Sequence, residues 1–133
     1  MTISFTTAAR NARADSITTT LGSSPTLRIY DGTPPASANA ALSGNNLLVT
    51  LPMSATPFPA ASSAVLTANA ITTTNAALTG TASFFRLLKS DGTTVVAQGS
   101  VGTSGQDLNL NTTAIVSGGP VAVSSFVLTE GNA

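Results

Sequence analysis

Two rhythms divide this chain at Gly22. Ahead of it, from Thr7 to Leu21, the apolar positions Ala9, Ala12, Ile17 and Leu21 recur at spacings of three to five, with Arg10, Arg13 and Asp15 between them. That spacing, closed by a glycine, predicts a short amphipathic helix. Its apolar stripe is largely alanine, so the helix is marginal alone and must dock, either on its own β domain or on a neighbouring subunit.

Beyond Gly22 the period is two, and six or seven short strands follow, each bounded by turn residues. The first is "TLRIYD" (26–31), and the second is "NLLVTLPM" (46–53), which Pro52 interrupts; "SAVLTANAITT" (63–73) is weaker. "GTASFFRLLK" and "TTVVAQGSV" read as the strongest pair, a hairpin joined through Ser90-Asp91-Gly92, and all seven prolines lie outside it, as a central position in a sheet requires. "QDLNLNTTAIV" and "PVAVSSFVLTE" complete the set.

The pattern predicts an all-β fold, an antiparallel β-sandwich that is jelly-roll-like or Ig-like, carrying a short N-terminal helix or arm. Residues 1–22 form that arm and helix, and residues 23–133 the sandwich domain. Two long connections, 32–45 and 54–63, stand outside the strands. In the second, Phe58 sits between Pro57 and Pro59, either as a buried loop anchor or as an apolar peg for a neighbouring subunit.

Composition narrows the function. A chain of 133 residues with five basic and five acidic side chains has no net field to draw it to nucleic acid or to an anionic membrane surface. Charged residues make up only 8%, well under the roughly 25–35% of an ordinary soluble surface, which points to a partner surface. Histidine and cysteine are both absent. Ser-His-Asp and Cys-His arrangements, thiolate metal sites and disulfides are therefore excluded. No apolar run approaches the roughly 20 residues of a membrane span, and the opening residues carry no basic leader, so synthesis in the cytosol is expected.

The remaining motifs give no catalytic or cofactor chemistry. "GSVGTSG" matches neither the dinucleotide fingerprint nor the P-loop and reads as a strand-to-strand loop. "DLNLN" (107–111) echoes a calcium loop but has Thr112 and Gly118 where that loop needs glycine and glutamate, so its polar side chains line a wet strand face and no metal is expected. "NTT" (111–113) fits a glycosylation acceptor by coincidence. Asp31 and Asp91 each precede glycine and serve as turn residues, while Arg28 and Arg86 lie inside apolar strands and need partners. Structural ion pairs of Arg28 and Arg86 with Asp31, Asp91 or an acid of a neighbouring subunit answer that need better than catalysis. The chain is expected not to be an enzyme and to use no cofactor.

The succession "LRIYDGTPP", "FFRLLKSDGTTVV" and "GTSGQDLNLNTT", within a stretch from about Ala9 to Leu128, resembles a family of small structural proteins encoded in the virion gene clusters of tailed bacteriophages and prophages. The resemblance implies a β-rich component that coats or completes a particle. A capsid decoration or cement protein on the head shell is the leading expectation, with a homo-oligomer, a trimer above all, and the major capsid protein or other virion proteins as partners. A tail or head-to-tail component and a host-surface adhesion module are the alternatives. Arg10, Arg13, Ile17, Pro57, Phe58 and Pro59 are the expected contact residues.

Overall fold

The computed structural model describes residues 2–131. Helix α1 spans Thr7–Leu21, as its periodicity predicts. It begins where Thr6, in extended backbone, accepts a hydrogen bond on its hydroxyl from the Ala9 N–H at 3.2 Å, and it ends at Gly22, φ 73°. Both caps satisfy groups that the helix itself leaves unpaired.

Eleven strands follow. Strands β1 (Thr26–Tyr30), β2 (Leu47–Pro52), β3 (Val65–Thr67), β6 (Phe84–Leu88), β7 (Val95–Gly102), β8 (Leu108–Leu110) and β11 (Val123–Thr129) make one curled seven-stranded sheet in the order β2-β1-β6-β7-β8-β11-β3. Strands β4 (Thr74–Asn75) and β10 (Pro120–Val121) pair as one short ribbon, and β5 (Gly80–Thr81) and β9 (Ala114–Ile115) as another. The protein is thus mostly β with one short helix, and its core is shared: Ala14 and Leu21 of α1 and Ile115 and Val121 of the ribbons pack in the same cluster as Leu27, Ile29, Phe85 and Leu87 of the sheet.

The sheet is mixed, which corrects the purely antiparallel expectation. Strands β7 and β8 run parallel through Val101↔Leu108 and Gly102↔Asn109. Their connection, 103–107, is far shorter than the dozen or so residues a parallel crossover normally takes. It succeeds because only two residue pairs are parallel, because Gly105 (φ 68°) allows the reversal, and because the Asp107 carboxylate accepts from the Ser100 N–H and hydroxyl, both at 2.9 Å. Gly99 and Gly102, expected in a loop, lie inside β7.

Both sheet edges are covered. Along β2 the Leu48 carbonyl accepts from the Ala77 N–H at 2.8 Å and the Pro52 carbonyl from the Thr72 N–H at 3.3 Å. Beside β3, Val65 and Ser62 exchange two backbone hydrogen bonds, and α1 packs against the strand.

Strand β6 is buried on both faces. Phe85 and Leu87 enter the main core, while Phe84, Arg86 and Leu88 point to the opposite face, under the connection 32–45. That second face carries a layer of its own, in which Phe84 stacks on Tyr30 with centroids 5.2 Å apart.

Candidate interaction surface

The residues singled out in the sequence fall into three groups, and the structure gives most of them work inside this chain. Arg28 and Arg86 are direct cross-strand partners on the second face of the sheet. Arg86 is 6% exposed; its Nε donates to Gln98 Oε1 at 3.0 Å and its Nη2 to the Ala40 carbonyl. Gln98 in turn donates to the Pro35 carbonyl at 2.8 Å, so the pair straps the connection 32–45 onto the sheet.

The expected ion pairs of Arg28 and Arg86 with Asp31 or Asp91 do not form; Arg13–Glu130 is the only ion pair among the described residues. The physical reason is local competition. Asp31 accepts from the Asn46 N–H at 2.6 Å and from Asn46 Nδ2 at 3.0 Å, bonds that lower its pKa below the ordinary 3.8. Asp91 accepts from the N–H groups of Thr93 and Thr94, both at 2.9 Å, and from the Thr94 hydroxyl, which hold its pKa at about 2. Asp31 ties the two ends of the connection 32–45 together and Asp91 closes its own turn, so each carboxylate is engaged by local donors rather than by an arginine.

The second group is on the helix. Arg10 donates from Nε to the Gly131 carbonyl at 3.1 Å and from Nη2 to the Glu130 carbonyl at 2.6 Å. Arg13 pairs with the Glu130 carboxylate and lies 4.9 Å above the Phe5 ring centroid. Ile17 is half-buried against the core. Two further polar residues, missed in the sequence, hold the helix: Asn11 accepts from the Ala64 N–H and Asp15 from the Ala61 N–H, each at 2.7 Å. These contacts tie α1 to its own domain, with Arg10 and Ile17 among its anchors.

The third group is the Pro57-Phe58-Pro59 turn. Phe58 is 2% exposed and packs on Phe126 at 5.8 Å, and Phe126 meets Phe85 edge-on at 5.2 Å. The peg reading of Phe58 is therefore corrected: the ring is a core side chain, Pro57 is buried, and only Pro59 is exposed.

Large apolar side chains meet solvent singly at Leu42 (39%) and Val127 (40%), and in pairs at two places. Residues 2–6 precede the helix as a non-helical segment in which Ile3 (69%) and Phe5 (41%) alternate with polar residues and stay exposed. At the two ribbons, Leu78 (48%) and Val116 (62%) stand out from neighbouring turns. Among the described residues no cluster of acidic side chains is arranged to hold a metal ion, and no helix is long and apolar enough to cross a membrane. Comparison with protein-family models, with curated proteins and with solved structures finds no match to this chain.

Proposed function

We propose that this chain is a structural protein of a tailed-bacteriophage virion, a capsid decoration or cement protein that binds and stabilises the head shell. The observation that carries the reading is the segment of residues 2–6. Its apolar side chains Ile3 and Phe5 are presented to solvent just ahead of a capped helix that is itself anchored at Asn11, Asp15 and Arg10. A rigid body with an apolar segment is suited to attach to a protein surface, where large side chains carry most of the binding energy.

The sequence resemblance supports the same reading, as does the employment of the arginines and aspartates in holding connections rather than in a reactive cluster. The finer architecture belongs to the proposal as well. The two ribbons share a core with the curled sheet, as the second layer of a sandwich of the jelly-roll or Ig kind does.

Mechanically, a decoration protein needs no chemistry. It stabilises whichever lattice geometry it fits, by mass action through its affinity for that state, and a homo-oligomer, a trimer at local three-fold positions, multiplies weak attachments. Cryo-EM of particles carrying this chain tests the reading: density on the head shell is expected, and density confined to the tail overturns the assignment to the head. Removing residues 2–5 from the full chain, which leaves the Thr6 cap of α1 in place, is expected to abolish binding to shells while the far-ultraviolet circular dichroism stays unchanged.

A further inference from the structure

Leu78 and Val116 project from two turns that are bonded to each other. Leu78 lies between β4 and β5, and Val116 directly follows β9. The Ala76 N–H donates to the Gly119 carbonyl at 2.9 Å and the Gly118 N–H to the Ala76 carbonyl at 2.8 Å. Ser117 donates from its N–H to the Thr79 hydroxyl at 3.0 Å and from its own hydroxyl to the Ala77 carbonyl at 3.2 Å. Gly118 turns with φ 82°, and a Cβ at Gly119 would sit 3.0 Å from the Val116 carbonyl, so this clasp has one conformation. Two exposed apolar side chains are thus displayed on fixed backbone, where burying them forfeits little further chain entropy.

Beside Val116 runs a groove of about 240 Å³, lined mainly by the apolar atoms of Ala114, Ile115, Pro120 and Val121. The surrounding sequence belongs to two longer stretches without charge, residues 32–85 and 108–129. Segments 71–82 and 111–123 contain no Asp, Glu, Lys or Arg, although ten such residues occur elsewhere in the chain. Only Ala76, Ala82, Ile115 and Val121 in these segments are buried. The rest are half-buried or exposed.

Charge decides the occupant. A surface without charge gives no counter-ion to a charged partner, and burying an unpaired charge against it costs several kcal/mol by general estimates. The surface that matches it is another without charge, and the same face of a second copy is one. We propose that copies of this chain associate through the ribbon face, with Leu78 and Val116 of one copy buried against the ribbon groove of the next. This deepens the preceding reading by naming where copies meet, and its test needs no virion.

Sedimentation equilibrium of the full-length chain, alone in solution, reads the association directly. The unaltered chain is expected to be oligomeric, and Val116→Lys or Leu78→Lys to weaken association at least about thirtyfold, the effect of losing a central anchor worth roughly 2 kcal/mol. Val116→Ile should keep the oligomer, and all variants should keep the circular dichroism of the parent, because both side chains point outward. A monomeric parent, or lysine variants that associate as the parent does, would overturn the proposal. Loss of association on removal of residues 2–5 with the lysine variants unaffected would also overturn it, moving the contact to that segment. Shell binding is read in a separate experiment, so either idea can fail while the other stands.

Discussion

Arg28 and Arg86 face each other across β1 and β6, and only one of them is satisfied. Arg86 is bonded to Gln98 and to the Ala40 carbonyl, whereas Arg28 Nε is buried with no partner among the described residues. Two like charges directly opposite in a sheet repel. The same substitution class should therefore act with opposite signs at the two positions. Arg86→Ala is expected to lower stability by about 3 kcal/mol, since it strands Gln98 and frees the connection 32–45. Arg28→Met removes the repulsion and the unpaired donor, and should leave stability unchanged or raise it by up to about 1 kcal/mol. Urea unfolding measures both, and limited proteolysis within 36–44 should quicken only in Arg86→Ala.

The helix is part of the domain rather than an appendage. Leu21 and Ala14 are 2% exposed in the shared core, and the Asn11 and Asp15 side chains satisfy the N–H groups of Ala64 and Ala61. Leu21→Ala should cost about 3 kcal/mol by opening a cavity. Asn11→Ala should cost about 1–2 kcal/mol, because a part-buried N–H loses its acceptor. A chain lacking residues 7–21 should fail to show a cooperative thermal transition, while one lacking only 2–5, which keeps the Thr6 cap, should melt within a few degrees of the parent.

Acid should weaken the fold through the two turn aspartates. In the folded chain the Asp91 pKa is lowered from 3.8 to about 2 by its bonds to Thr94 and Thr93, and that of Asp31 is lowered by Asn46. A depressed folded pKa means that the unfolded chain binds the proton more readily. The contribution is therefore complete above about pH 4 and lost as the pH falls toward 2. Asp91→Asn should flatten the fall of the melting temperature across that window. An identical acid limb in the variant would place the sensitivity elsewhere.

The sequence made the helix and its limits legible, because Gly22 and the helical spacing from Thr7 are local signals. The buried face was not: Ala12 is exposed and Ala14 buried, since polar tethers at Asn11 and Asp15 fix the rotation of the helix more than alanine contacts do. Strands β1, β2, β6 and β7 lie where their apolar runs place them, but such runs do not encode the direction of pairing. The parallel step between β7 and β8 was therefore hidden. Asp91 was legible as a turn residue, whereas the partner of Asp31, Asn46, lies fifteen positions away and leaves no local signal. The uncharged segments 71–82 and 111–123 can be read directly. Their meeting in one clasp depends on long-range bonds such as Ser117 to Thr79, which no periodicity reports.

Two glycines of β7 provide a paired test of the packing. Gly99 is the cross-strand partner of Phe85, and a Cβ built on it would lie 2.6 Å from Phe85 Cε1 and 2.9 Å from Asp107 Oδ2. Neither neighbour can yield easily. The Phe85 ring is 1% exposed and held edge-on against Phe126, and Asp107 Oδ2 is bonded to Ser100 where β8 returns alongside β7. At Gly102 the nearest atom is Gln106 Cγ at 2.5 Å, which belongs to an exposed, flexible side chain that can rotate away. Gly99→Ala should therefore destabilise by about 2 kcal/mol through overpacking. Gly102→Ala should stay within about 0.5 kcal/mol of the parent, because the relief of unfolded-chain entropy offsets a small displacement. Equal losses at both positions in urea unfolding would mean that Gln106 is fixed as firmly as the Phe85 ring.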